Sequence, residues 1–292
     1  MRLEVALPST DLLGEGPWWS VAEQALWRVD IPACLLHRWR PADGKTTTYR
    51  LPSEIGFAVP GRDGRIAVGL RQGLAVFDPA DGSVEVLAHP APERAELRFN
   101  DGKTDRAGRL WGGTTTDEER APTAALHRLT DGGALHTEVE GIVISNGLGW
   151  SPDGETMYYT DSVPRTIWAY DFDPDTAAMS NRRVFATDDD CYPDGLTVDA
   201  LGGVWSAKWD GGRVVRYEPD GTVSEVVEAP VARPTSCMFG GPGLDVLYVT
   251  SARKGLDDDE LEATPAGSVL AIVPGVAGIA EVPWSGLTAA RR

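Results

Sequence analysis

Short runs of aromatic and β-branched residues, each about five positions long, alternate with polar turn segments along almost the whole chain. LWRVD, RIAVGL, RLWGGT, TMYYTD, GVWSAK and VLYVTS carry the apolar positions. Turn-forming stretches precede them, most plainly GRDG, DRAG, SPDG and DALGG. This pattern predicts β-strands bounded by tight turns, and no long helical periodicity interrupts it.

The strands recur. With Trp27, Ala67, Trp111, Tyr158, Trp205 and Tyr248 as markers, the steps are 40, 44, 47, 47 and 43 residues. A further strand usually follows each marker and ends in an Asp-containing turn, as in GLAVFDPADG, TIWAYDFDPD and GRVVRYEPDG. A small antiparallel meander repeated six times predicts an all-β, six-bladed β-propeller occupying residues 1–292 as a single domain. One blade cannot bury both of its faces, whereas six around an axis can. The segment LEVALPST precedes the first repeat and is expected to supply the outer strand of the last blade, joining the two chain ends.

The repeat also predicts which side chains converge. Eleven or twelve residues before each marker, at the start of the innermost strand, stand Glu15, Ile55 or Gly56, Asn100, Asn146, Asp194 and Ser236. Four of these six positions carry a side-chain oxygen as Glu, Asn or Asp, and each of the four has a glycine within two residues, in GEGPWW, RFNDGK, ISNGLGW and YPDGLTV. Asn, Asp and Gly are common turn residues, so any one of these would pass as an ordinary turn. Four at equivalent points of different repeats, aimed at one axis, are a different matter. Crowded buried carboxylates repel and are costly to desolvate unless a cation lies among them, so an oxygen-lined divalent-metal site is expected.

Composition narrows the partners. The chain carries 44 acidic and 27 basic side chains, a formal charge of −17. No basic stripe exists to neutralise phosphate, which argues against nucleic acid and against an anionic membrane surface. Cys34, Cys191 and Cys237 are far apart and form no CxxC, which reads as a reducing compartment. The N-terminus lacks a signal-type apolar core and the apolar stretch 268–283 is broken by Pro274, so a soluble, cytoplasmic protein is expected. GxSxG, P-loop and EF-hand motifs are absent, and His37, His89, His127 and His136 lie away from the axial motifs. The acidic runs 188–190 and 257–260 read as solvated loops.

At the axial residues the sequence resembles the SMP-30/gluconolactonase/regucalcin family. The likeness runs through GEGP (14–17), RFNDGK (98–103), ISNGLGWSPDG (144–154), SNRRVF (180–185), PDG (193–195), GGRVVR (211–216), TSCMFGG (235–241) and LYVTSARKG (247–255). The resemblance implies a six-bladed propeller that hydrolyses lactones with one divalent cation. Residue by residue, it implies Glu15, Asn146 and Asp194 as metal ligands, and Arg98 and Asn100 as substrate contacts. It implies Glu118 as a further substrate contact. Tyr192, Lys208 and Trp209 fall where members of the family differ and are candidate specificity residues, Lys208 being expected as an exposed lysine.

Such a site suits lactone opening. A divalent ion polarises the carbonyl and lowers the pKa of water. Two carboxylates and a neutral amide leave positions open for water and substrate. Asp194 is the expected general base. The expected substrate is a sugar (aldono-) lactone of sugar catabolism, with Ca²⁺, Zn²⁺, Mn²⁺, Mg²⁺ and Fe(II) all open as the ion. Two alternatives stand beside it: a broad lactonase or phosphotriesterase on the same scaffold, and a non-enzymatic, regucalcin-like metal-binding propeller. The full ligand set together with the Arg98–Asn100 pair favours the first reading.

Overall fold

The computed structural model describes residues 2–287, and these form six four-stranded antiparallel sheets. The innermost strands are Gly14–Ser20, Ile55–Pro60, Leu97–Thr104, Ser145–Trp150, Tyr192–Val198 and Pro234–Gly240. Each packs against the next, and the sixth packs against the first, so the sheets close into a ring: a six-bladed propeller. The first five blades are consecutive meanders. In the sixth, Glu4–Leu7 pairs antiparallel with Val269–Ile272, so this sheet is built from both ends of the chain.

The marker residues are buried second-strand positions, and at all but Ala67 a large ring fills the space between blades. Two of the turns leading into these strands share one chemistry. Asp105 accepts the Ala107 and Arg109 N–H groups through one oxygen and the Trp111 indole N–H, at 3.0 Å, through the other. Asp199 repeats this with Leu201, Gly203 and Trp205. An aspartate that satisfies turn amides and ties down the next strand's tryptophan is one reason the turn signals are so regular. Near residue 260 the only α-helix among the described residues, Asp258–Ala263, is closed by a capping box between Asp257 and Glu260, so this acidic run is a helix start. Among the described residues no helix is long and apolar enough to cross a membrane.

Every innermost strand slips register once near its start. The slips lie between Glu15 and Trp18, Ile55 and Phe57, Phe99 and Gly102, Ser145 and Leu148, Pro193 and Leu196, and Pro234 and Cys237. A bulge frees one or two residues from the ladder and re-aims their side chains. The residues freed include Gly56, Asn100, Asn146, Asp194 and Ser236, all axial positions of the repeat, and Glu15 stands at the edge of its bulge. Glycine follows the polar residue where the neighbouring strand comes closest. A Cβ on Gly147 would lie 2.5 Å from the Leu196 nitrogen, and one on Gly195 would lie 2.0 Å from Ser236 Oγ.

The opposite mouth of the channel is covered. The C-terminal segment crosses the turns of four blades there. The Ala200 N–H donates to the Ala277 carbonyl and the Gly278 N–H to the Leu244 carbonyl; Trp284 N–H donates to Pro60 and Ser285 N–H to Gly108.

Candidate active site

At the open mouth lies a cavity of about 390 Å³, within the range of small-molecule sites. Glu15, Arg98, Asn100, Asn146 and Asp194 line its floor from innermost strands. Its wall comes from residues at or just beyond the ends of second strands: Glu119, Ser162, Val163, Trp209 and Lys254. Both sources open at one mouth because each meander's second strand runs back to where its first began.

A chain of hydrogen bonds crosses the floor. Arg98 Nη1 donates to Asn100 Oδ1 at 2.6 Å, and Asn100 Nδ2 donates to Asn146 Oδ1 at 2.9 Å. Asn146 Nδ2 donates to Ser162 Oγ at 2.8 Å, and that hydroxyl donates to the Pro193 carbonyl at 2.7 Å, beside Asp194. The chain fixes both amide orientations, because a guanidinium can only donate and a backbone carbonyl can only accept. Asn146 Oδ1 therefore uses one lone pair on Asn100 and keeps a second.

The carboxylates are under electrostatic pressure. Burial, and after it the charge of Asp101, pushes the Glu15 carboxyl up to about 8, although the Gly16 N–H donates to its Oε2 at 2.9 Å. Burial likewise holds Asp194 well above the carboxylate range, with Glu15 and then Asp101 adding repulsion. Asp194 Oδ1 is buried and has no hydrogen-bond partner. Buried polar atoms are nearly always paired, so this oxygen is an acceptor waiting for a donor or a cation. Together with Glu15 and the second lone pair of Asn146 it fits a hard or borderline divalent ion held by oxygen. Two carboxylates and one amide make up this set, and among the described residues no group of three His, Cys, Asp or Glu side chains offers another.

Two expectations need correction. The carboxylate that lines the cavity is Glu119, whereas Glu118 is exposed and outside it. Glu119 adopts a left-handed backbone, φ 51°, in the turn after Leu110–Thr116, which swings its side chain to 3.4 Å from Arg98 Nη2. Strand alternation does not carry through such a turn. Lys208 is fully buried and outside the cavity. Its Nζ pairs with Asp188 Oδ2 at 2.7 Å and lies over the Tyr217 ring. The adjacent Tyr192 and Trp209 do line the cavity.

Ser162 and Lys254 were not singled out by the repeat argument, which read only strand starts; counting to second-strand ends would have found them. Lys254 Nζ stands 3.8 Å from Glu119 Oε1, at the rim. Leu13, Ile144 and Val163 supply an apolar side.

Comparison with known proteins gives the family and agrees with the fold. The family model for the SMP-30/Gluconolactonase/LRE-like region matches residues 13–253. A 6-deoxy-6-sulfogluconolactonase of Pseudomonas putida is 36% identical, covering 97% of this chain and 99% of its own. A regucalcin of Xenopus laevis is 34% identical over 98% of this chain and 99% of its own. The crystal structure of regucalcin from Agrobacterium tumefaciens, described as a calcium-binding protein, superposes with a TM-score of 0.92 at 30% identity, covering 97% of each chain.

Proposed function

The chain belongs to the SMP-30/gluconolactonase/LRE-like family, and from that premise we propose that it is a sugar lactonase, a carboxylic ester hydrolase that opens an aldonolactone to its acid at a divalent cation. The observation that carries the reading is the meeting, in one cavity, of an unpartnered Asp194 oxygen with Glu15, Asn146 and the Arg98–Asn100 pair. The lactonase name of the Pseudomonas relative supports the reaction class. The calcium-binding description of the Agrobacterium structure supports Ca²⁺ as the first ion to test.

Glu15, Asn146 and Asp194 would hold the ion. When bound, it supplies Lewis-acid polarisation of the lactone carbonyl and charge to offset the carboxylates. The remaining work falls to side chains. Asp194 takes a proton from water as the water oxygen bonds to the carbonyl carbon. The bond from that carbon to the ring oxygen then breaks, and the proton passes to the departing alkoxide. General-base assistance of this kind contributes roughly 10²–10⁴ in rate. Arg98 is pinned by Asn100 and Glu119, and it presents donors to substrate oxygens. Trp209 and Tyr192 offer flat apolar faces to the C–H side of a sugar ring.

The test is a panel of freshly prepared aldonolactones, assayed by acid release after chelation and re-addition of single metals, with spontaneous opening subtracted. The expected result is metal-restored turnover on at least one aldonolactone and its abolition by Asp194→Ala with the fold retained. Full activity in Asp194→Ala, or turnover indifferent to chelation, would overturn the assignment.

A further inference from the structure

One buried carboxylate has no part in the chemistry above. Asp101 follows Asn100 inside the bulge of the third innermost strand, at a point where the first, fourth and fifth strands have Gly16, Gly147 and Gly195. A charged side chain thus replaces bare backbone beneath the site. Asp101 is buried, and its Oδ1 accepts the Gly102 N–H at 2.7 Å. Two residues on, Lys103 is also buried and donates from Nζ to the Leu196 carbonyl at 3.0 Å. Glu281, on the C-terminal segment that covers the far mouth, stands 3.7 Å from both Lys103 and Arg106.

The charges in this column can be counted. Glu281 and Arg106 cancel, as do Glu119 and Arg98 at the open end. Lys254 beyond them is half-exposed and screened by water. In the ionised form that holds a cation, Glu15, Asp194 and Asp101 remain against the single ammonium of Lys103, a net charge of −2 in a buried channel; without a cation, burial and mutual repulsion raise these carboxyls. Lys103 attracts Asp101, and Asp101 repels both Glu15 and Asp194. A divalent ion brings the column to neutrality; a monovalent or trivalent one does not. Buried uncompensated charge is costly, so the count selects among ions by valence.

We infer that Asp101 and Lys103 are positioning residues of the cation site, which act through their fixed charges to match it to a divalent ion. The inference rests on the proposed function, since it needs Glu15, Asn146 and Asp194 to hold that ion. Asp101 raises the affinity of the ligand oxygens for a cation, and Lys103 opposes the upward push of burial on the Asp101 carboxyl and caps the attraction.

Calorimetric titration of the full chain with Ca²⁺, and separately with Tb³⁺, at one fixed pH tests this. Asp101→Asn is expected to weaken Ca²⁺ binding about tenfold or more, and Lys103→Met to strengthen it. The logarithm of each change should be about one and a half times larger for Tb³⁺, because the interaction scales with ion charge. D101N/K103M should return Ca²⁺ affinity to within about threefold of the unsubstituted protein. If Lys103→Met does not fold, the double variant decides by comparison with Asp101→Asn alone. Loss of affinity in both single variants without recovery in the double, or no change in any, overturns the inference while leaving the lactonase reading standing. Unsubstituted protein that binds no ion, or binds it equally well as Asp194→Ala, overturns both.

Discussion

Ser162 touches no expected reacting atom, yet it sets the direction of one ligand. Its Oγ accepts from Asn146 Nδ2 and donates to the Pro193 carbonyl, so Asn146 can turn only its oxygen toward Asp194 and Glu15. Without that hydroxyl the Asn146 amide loses a buried partner, at a cost of about 1–3 kcal/mol, and can rotate. Ser162→Ala is expected to lower divalent-ion affinity and kcat/KM about 10–100-fold while leaving the melting temperature within a few degrees. Unchanged ion affinity by titration would remove Ser162 from this role. Single residues also mark where the sequence was hardest to read. Glu118 and Glu119 differ by one position, and the choice depended on a left-handed turn residue that strand alternation does not encode. Lys208 was expected in solvent because lysines usually are; its burial depends on Asp188, twenty residues away, and on the Tyr217 ring. Glu15, Asn100, Asn146 and Asp194 were legible because their placement follows from the repeat, whereas Arg98 was legible only through the family resemblance.

The bulge is the element that turns a propeller strand into a site. A regular strand directs alternate side chains onto the two faces of its blade; the slip re-aims one or two of them. Its companion glycines let neighbouring bulges nest, and this makes them sensitive to a single carbon. At Gly195 an added Cβ would meet Ser236 Oγ at 2.0 Å, Cβ at 2.3 Å and Cα at 2.7 Å, so rotation of the serine side chain alone cannot relieve it. Gly195→Ala is expected to destabilise the protein by about 1–3 kcal/mol and to displace Asp194, lowering activity beyond what the stability loss explains. Gly132→Ala is the control: a Cβ there meets only Thr130 Oγ1, at 4.0 Å. Equal urea midpoints for the two variants would show that the bulges do not nest as tightly as described. The six slips themselves were not legible as bulges. What the sequence displayed was their consequence, a polar residue within two positions of a glycine at the start of four of the six meanders.

At the scale of the whole molecule the ring has a seam. Five blades are continuous in sequence, but the sixth needs Glu4–Leu7 to complete it, and the hold is partly backbone and partly side chain. The Leu3 N–H donates to the Glu228 carbonyl at 2.9 Å, so the incoming chain also touches the fifth blade's outer strand. Leu3 is 1% exposed and packs in a cluster with Val227, Val231 and Leu270, which spans the fifth and sixth blades. Behind it Asp11 accepts from Arg28 Nε at 2.7 Å and its N–H donates to the Gly267 carbonyl, tying the same segment to the first blade. The seam therefore joins three blades through residues 3–11. Truncating Leu3 removes the fully buried apolar side chain of the segment and leaves a cavity between two sheets. Leu3→Ala is expected to cost about 2–5 kcal/mol in urea unfolding. A closed ring should open at its seam first, so hydrogen exchange in the variant should rise earliest in Glu4–Leu7 and Val269–Ile272, ahead of the innermost strands. Exchange that rises evenly over all six blades would mean that the ring gives way as one cooperative unit and that the terminal strand has no special part in holding it shut.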